Sequence, residues 1–449
     1  MINPPPQTPA WVEASAKWLT PRRIRAHAVV LAVCLWGVCA VDFLTPGSFD
    51  RAANIKFQDF LSFYISARLI HQGRAAELYD DQTRTAKMLA IVRTHVGTDA
   101  FVRPDSNPAG RESVLPAEAH NAANVRLPNL YGPQFALPFI PLTYFPFLIA
   151  AQIWVALNLL LYGLCVYLIW KACPALRLHQ SLVALCAVAF PPLFHVFVRG
   201  QNSALVLACF TAAFLAFRAH HSWLAGFALG LLIFKPQFLV AIPLVLLLAQ
   251  AWKAFAGLVI SASAQVIFTR IYFGPALMHS YIDTLRHMSR LGAAELSLAP
   301  IQMHSLRSFW TLLIPWPEPA FALYAFTSVA AIALAATTWK SSAPLALRFS
   351  ALTLAAVLVD PHLFVYDLLA LAPALLLLVD WILTHSQQPS SVTLRLLVYL
   401  ALVLPLVGPL SQWTHLQLSV PVFAGLLCLL WRTSRTPSHK LASNESAVV

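Results

Sequence analysis

Charge is what this sequence has least of. Asp, Glu, Lys and Arg make up 11% of the 449 residues, against roughly 25% in an ordinary soluble domain, and that shortage argues against a water-soluble fold of this size. Cysteine is missing from the long polar stretches. All seven, at positions 34, 39, 165, 173, 186, 209 and 428, lie in or beside apolar runs, so neither a disulfide framework nor a thiolate metal site is indicated. No small-residue cleavage pattern follows the first apolar block, which makes that block a retained helix and not a removed signal. No internal repeat is evident, which weakens a reading as a transporter built from repeats.

What is abundant is apolar. Hydrophobic residues are 59% of the chain and fall in blocks such as 26–44, 147–170, 321–339 and 363–382, several of them reaching the length of about 20 residues that crosses the hydrocarbon. The expected fold is an all-α polytopic membrane protein with about twelve membrane segments. Lys17, Arg22, Arg23 and Arg25 precede the first block and put the N-terminus in the cytoplasm. From there the polar segment 46–131 emerges on the non-cytoplasmic side, as does a second polar loop at 272–319, and both termini lie inside. Residues 1–25 form a cytoplasmic segment, 26–431 the transmembrane domain, and 432–449 a disordered cytoplasmic tail rich in Ser, Thr and Lys. The net charge of +12 gathers at span ends, where lipid headgroups and the positive-inside bias account for it. Membrane lipids are therefore expected partners and nucleic acid is not.

Chemistry concentrates in four places. The first is 57–70, where apolar and aromatic residues at 57, 60, 61, 64, 65 and 69 follow helical spacing and predict a flat amphipathic helix at the membrane interface. It carries Asp59, Tyr64 and Arg68. A carboxylate beside aromatic residues at that depth is partly desolvated, and desolvation raises the basicity a proton acceptor needs; the plainer alternative is a helix-start residue serving the dipole. Asp80 and Asp81 beyond it read as a turn or cap. The second is Tyr131-Gly132-Pro133 with Pro138, Pro141 and Pro146, which cannot form one straight helix and either lines a cavity or kinks the entry to the next span.

The third pairs a tight outer turn, Arg199-Gly200-Gln201-Asn202, with Lys235-Pro236-Gln237, which interrupts the apolar run 223–250 as the apex of two short helices or a re-entrant hairpin. A cation near the bilayer centre costs about 2.5–3.5 kcal/mol, so Lys235 faces protein, water or an anionic ligand; phosphate would suit both it and Arg199, and snorkelling is the alternative for each. The fourth is Asp360-Pro361-His362 through Tyr366-Asp367 at a membrane boundary; on a helix His362 and Tyr366 would share a face, as would Leu363 and Asp367. In the second outer loop His279, Asp283, Arg286, His287 and Arg290 read as one face of a solvated surface helix, with Arg307 beyond them.

Together these motifs resemble bacterial glycosyltransferase family 87 of the GT-C superfamily, which includes polyprenol-phosphate-mannose-dependent mannosyltransferases. The residues that carry the resemblance are Asp59-Phe60 with Phe63-Tyr64, Ala67, Leu69, Gly73 and Leu78-Tyr79; Tyr131 and Pro133 with the proline run; Gly200-Gln201-Asn202; Gly226, Gly230 and Lys235-Pro236-Gln237; and Pro361-His362 with Tyr366-Asp367. They run in the family's order over roughly 57–378, while Gly132, Asp360 and an insertion at about 94–126 depart from it.

The resemblance implies a GT-C-like fold in the bacterial plasma membrane. It further implies transfer of a sugar, mannose before others, from a polyprenyl phosphate to a lipid or glycan hydroxyl on the side facing the periplasm or cell exterior. Asp59 or His362 would be the base, and Arg199 and Lys235 would hold phosphate. Tyr64, Arg68, Tyr131, Gln201, Asn202, Gln237, Tyr366 and Asp367 would surround the substrates. One base opposite a departing phosphate points to inversion at the anomeric carbon. No cofactor is implied, a divalent metal stays open, and the absence of a nucleotide-binding motif fits a lipid-linked donor. The rival reading is a transporter or flippase for a lipid-linked or anionic solute, with Lys235 as a binding residue and Asp59 as a gate.

Overall fold

The computed structural model describes residues 10–45, 49–50, 55–96, 129–290 and 302–435. The first nine residues, most of the expected insertion, part of the second outer loop and nearly all of the expected tail lie outside the described residues. The helices are α1 (Ala10–Trp18), α2 (Pro21–Leu44), α3 (Gln58–His71), α4 (Asp81–Val96), α5 (Phe147–Ala172), α6 (Gln180–Val188), α7 (Pro191–Arg199), α8 (Ser203–Arg218) and α9 (Ser222–Gly230). They continue as α10 (Ile242–Leu248), α11 (Trp252–Arg290), α12 (Leu306–Leu313), α13 (Pro317–Lys340), α14 (Leu345–Val359), α15 (Ala372–Thr384), α16 (Pro389–Val403) and α17 (Ser419–Thr433). Among the described residues the only extended pairing is two isolated bridges, Phe49 with Ile55 and Met303 with Phe364.

Among the described residues six helices are long and apolar enough to cross a membrane, or seven if the pair Ala175–Val188 and Pro191–Arg199, bent by 45°, counts as one span. Not all of the expected twelve segments are helices of spanning length. Five further apolar helices run only 10–17 residues, because prolines and polar turns interrupt the apolar sequence before a span's length is reached. The apolar run 223–250 is such a case: α9 passes into a 3-10 turn at Leu231–Phe234, Lys235 stands at the break, and Pro236–Leu239 forms a second 3-10 turn before α10.

The region around α3 departs from expectation in an instructive way. Its helical spacing predicts a wet face, yet every side chain from Phe60 to Ala67 is buried. The two serines of the supposed wet face are covered by Arg84 of α4, which donates to Ser62 Oγ at 2.6 Å and to Ser66 Oγ at 2.8 Å. Burial pushes Arg84 down to about 10, so it remains charged near neutrality. Asp80 starts α4 by accepting from the Gln82 backbone N–H at 3.2 Å and the Thr83 hydroxyl at 2.6 Å, a capping role.

The proline run forms a 3-10 segment, Pro133–Tyr144, laid along the other side of α3. Phe63 meets Tyr131, Phe135 and Phe139 with ring centroids 5.0, 5.5 and 5.3 Å apart, and Phe135 stacks on Phe234 at 5.1 Å, tying this wall to the Lys235 break. Behind it α9 and α11 touch backbone to backbone. A Cβ on Gly226 would fall 1.8 Å from the Ala254 carbonyl oxygen, so only glycine permits the close crossing that membrane helices use.

In the second outer loop the expected surface helix is the end of a longer one. α11 continues to Arg290 across a break at Gly274, where φ is 81°. His279, Asp283, Arg286 and His287 are exposed there, with Arg286 and Asp283 paired at 3.3 Å, while the side chain of Arg290 lies outside the described residues.

Candidate active site

Three chain segments converge at one end of the helical bundle. Phe57 takes a left-handed conformation, φ 53°, and turns the chain into α3, which sets Asp59 in the helix's first turn. The turn between α7 and α8 passes directly over it. Gly200 has φ 67°, and a Cβ there would meet Phe60 Cβ at 2.7 Å; glycine supplies both the conformation and the clearance. The indole of Trp154 donates to the Gly200 carbonyl at 2.9 Å and holds the turn.

Gln201 then donates from Nε2 to Asp59 Oδ2 at 3.0 Å, while its Oε1 accepts the Asn202 backbone N–H at 3.0 Å. The second bond fixes which end of the amide faces the carboxylate. Asp59 itself stays partly exposed. Burial raises its pKa above the usual carboxylate range, and the Asp367 charge adds to the rise; Arg199, the Gln201 hydrogen bond and Lys235 oppose it. Tyr131 turns its hydroxyl toward Gln201 and Asn202, and burial pushes that phenol upward, keeping it a donor. Tyr366 stands within the fields of Asp59, Asp367, Tyr131 and Arg199.

Beneath this lies a closed charge centre. Lys235 Nζ pairs with Asp367 Oδ1 at 2.5 Å, both side chains nearly inaccessible, and Ser203 donates to the same carboxylate oxygen at 2.7 Å. Lys235 also lies 5.3 Å from the centre of the Tyr366 ring. The cation that the sequence offers to a phosphate is thus already neutralised by protein. Arg199 is different: it is half-buried and lines a cavity of about 220 Å³ together with Asp42, Asp50, Lys56, Phe57 and Gln58.

Several polar atoms at this end of the bundle have no protein partner. Asn202 is 0% exposed, yet neither of its side-chain amide atoms is hydrogen-bonded; Asp360 Oδ2 and His362 Nδ1 are also unsatisfied. Such orphans cost free energy unless something else satisfies them. The Asp360 carboxyl is pushed well above the usual range by burial and, secondarily, by the nearby Asp367 charge.

The expected face shared by His362 and Tyr366 does not form. Residues 361–364 are not helical: the His304 backbone N–H donates to the Leu363 carbonyl at 2.9 Å, Met303 bridges to Phe364, and the 3-10 helix begins only at Val365. His362 is pushed down to about 4, first by burial and then by Arg307, and Asp59 is not among the charges that act on it.

Three other sequence candidates also fall apart from the cluster. Tyr64 donates its hydroxyl to the Phe145 carbonyl at 2.8 Å, which makes it a brace. Arg68 is exposed nine residues further along α3, about 13 Å from Asp59 at the helical rise. Gln237 makes no side-chain hydrogen bond among the described residues. The converse omissions are Ser203 and Asp42. Asp42 is a carboxylate in an apolar helix, a signal that was legible. Among the described residues no three His, Cys, Asp or Glu side chains gather as a metal-ligand group.

Fold and cluster together define a polytopic all-α membrane protein with an enclosed acid, amide and phenol site at one end of its bundle. The profile of glycosyltransferase family 87 matches residues 129–361, just over half of the chain. The chain belongs to that family, and it is a membrane glycosyltransferase. The match takes in Tyr131, Arg199 to Asn202 and Lys235, and ends before His362; Asp59 lies outside it. No curated protein and no solved structure matches the chain.

Proposed function

We propose that the enzyme transfers a sugar, mannose before others, from a polyprenyl-phosphate donor to the hydroxyl of a lipid or glycan acceptor on the non-cytoplasmic side of the bacterial plasma membrane. The observation that carries this reading is the juxtaposition of Asp59, partly exposed and raised in pKa, with Arg199, a cation facing a cavity. Asp59 takes the proton of the acceptor hydroxyl. The acceptor oxygen attacks the anomeric carbon, the bond from that carbon to the phosphate oxygen breaks, and its electron pair leaves with the phosphate. A lipid phosphate is already a good leaving group, so orientation and charge stabilisation are the protein's main contributions. Arg199 meets the departing charge, while Asn202, Tyr131 and Tyr366 offer groups to the sugar. Attack opposite the leaving phosphate inverts the anomeric carbon.

Asp59 is assigned as base over His362 because a carboxylate whose pKa is raised gains basicity, whereas an imidazole held near 4 is a poor acceptor near neutrality. Lys235 and Asp367 shape the field around Asp59 without touching substrate.

The test is sugar transfer from a polyprenyl-phosphate mannose donor in membranes holding Asp59→Asn protein. Loss of transfer with the protein still folded is expected. Transfer at near wild-type rate would remove Asp59 as base, and donor-independent flux of solute into sealed vesicles would replace the enzyme by a transporter.

A further inference from the structure

A second cavity lies at the far end of α2 from Asp59. Asp42 of α2 lines the first cavity and Ile24 of α2 lines the second, a separation of about 27 Å along the helix, which puts the two in opposite halves of the membrane. The second cavity has a volume of about 320 Å³ and a wall that is almost wholly aliphatic and aromatic, including Val166, Val183 and Leu376. Among the described residues the only ionisable groups with a positive form on its wall are His179 and Arg395, and neither Asp nor Glu contributes.

Arg395 is half-buried on α16 and makes no hydrogen bond or ion pair among the described residues. A cation within a membrane segment calls for an anionic partner or access to water. The wall is too apolar to hold water in ordered positions. Beside it, α2 enters the membrane through the exposed residues Arg22, Arg23 and Arg25, a basic cluster that attracts anionic headgroups. An apolar recess with a positive mouth complements one kind of molecule, an amphiphile with a hydrocarbon tail and a negative head.

We propose that this cleft seats an acyl chain of an anionic phospholipid, its headgroup phosphate at Arg395 and His179, on the membrane face opposite the candidate active site. The lipid wedges between α2, α6, α15 and α16, next to the tie in which the Tyr399 hydroxyl lies 2.6 Å from His27 Nδ1.

The experiment uses the full chain in nanodiscs of phosphatidylcholine alone or with phosphatidylglycerol, reading retained lipid by native mass spectrometry and the melting temperature. Wild type should retain phosphatidylglycerol and be stabilised by it over phosphatidylcholine. Arg395→Gln should weaken phosphatidylglycerol retention about fivefold, the factor one basic residue near an anionic surface supplies, while leaving the protein folded. Val183→Trp, which fills the cleft, should weaken retention of either lipid. Equal retention of both lipids by wild type, an undiminished phosphatidylglycerol preference in Arg395→Gln, or equal stabilisation by inorganic phosphate would each overturn the proposal. Because the readout is lipid binding, its failure leaves the sugar-transfer reading untouched.

Discussion

Two acidic centres sit side by side in this protein and have opposite characters. Asp367 is closed: its side chain is about 2% exposed, and Lys235 and Ser203 satisfy it. Asp59 is open: it is partly exposed, a single amide donates to it, and Arg199 faces a cavity beside it. Both are ionisable residues in an apolar sequence, and that signal alone does not tell scaffold from chemistry. What separates them is satisfaction. A buried charge whose partners are all protein is committed to holding the fold, whereas a half-satisfied carboxylate whose pKa is raised has both reach and basicity left for a substrate.

If that contrast is right, substitutions at the two centres should fail differently. The largest effect is expected at Asp59. Asp59→Asn should lower transfer by about 10²–10⁴-fold, the range of a lost general base, without lowering the melting temperature. The sign follows from linkage. A carboxyl whose folded pKa is raised stabilises the fold below its unfolded pKa and loses that contribution as pH rises through the folded pKa, so above that folded pKa the charged Asp59 is a burden that Asn removes.

At the closed centre the expected loss is stability. Asp367→Asn or Lys235→Met leaves one buried charge alone and should destabilise by about 3–5 kcal/mol, read by thermal or denaturant unfolding in detergent. The pair Lys235→Met with Asp367→Leu should recover most of that loss. If the single variants fold like wild type but lose transfer, the pair belongs to the chemistry and the contrast fails.

Smaller effects sharpen it further. Arg199→Gln should reduce transfer by about 10²-fold, in the range of one electrostatic donor to a developing anion, with little change in melting temperature. Asp360→Asn should be close to neutral in stability, within about 1 kcal/mol, because burial disfavours the charged carboxylate and Asn keeps an oxygen for the His362 backbone N–H, which donates to Asp360 Oδ1 at 2.8 Å.

The membrane class was legible because apolar length is a one-dimensional property, and 11% charge leaves little room for anything else. The turn at Gly200 was legible for a local reason: only glycine tolerates φ 67° against Phe60. What sequence reasoning missed came from distant partners. The wet face of α3 vanished because Arg84, eighteen residues beyond Ser66, folds back over it. That Lys235 would face protein was among the expectations, but not that its partner would be Asp367, 132 residues away. The apolar runs were legible, but not that prolines at 191 and 192 bend one of them or that five apolar helices stop short of a span's length. His362 was separated from Tyr366 by a bridge to Met303, a long-range contact that helical spacing does not report.

The pH dependence of kcat/KM for sugar transfer, measured on wild type and on His362→Gln, tests most directly whether Asp59 is the base. Activity requires Asp59 deprotonated, so the rate should fall toward acid with a midpoint above the ordinary carboxylate value of about 4, and that acid limb should persist unmoved in His362→Gln. An acid limb that disappears or shifts with His362→Gln would assign the proton to the histidine and contradict the account.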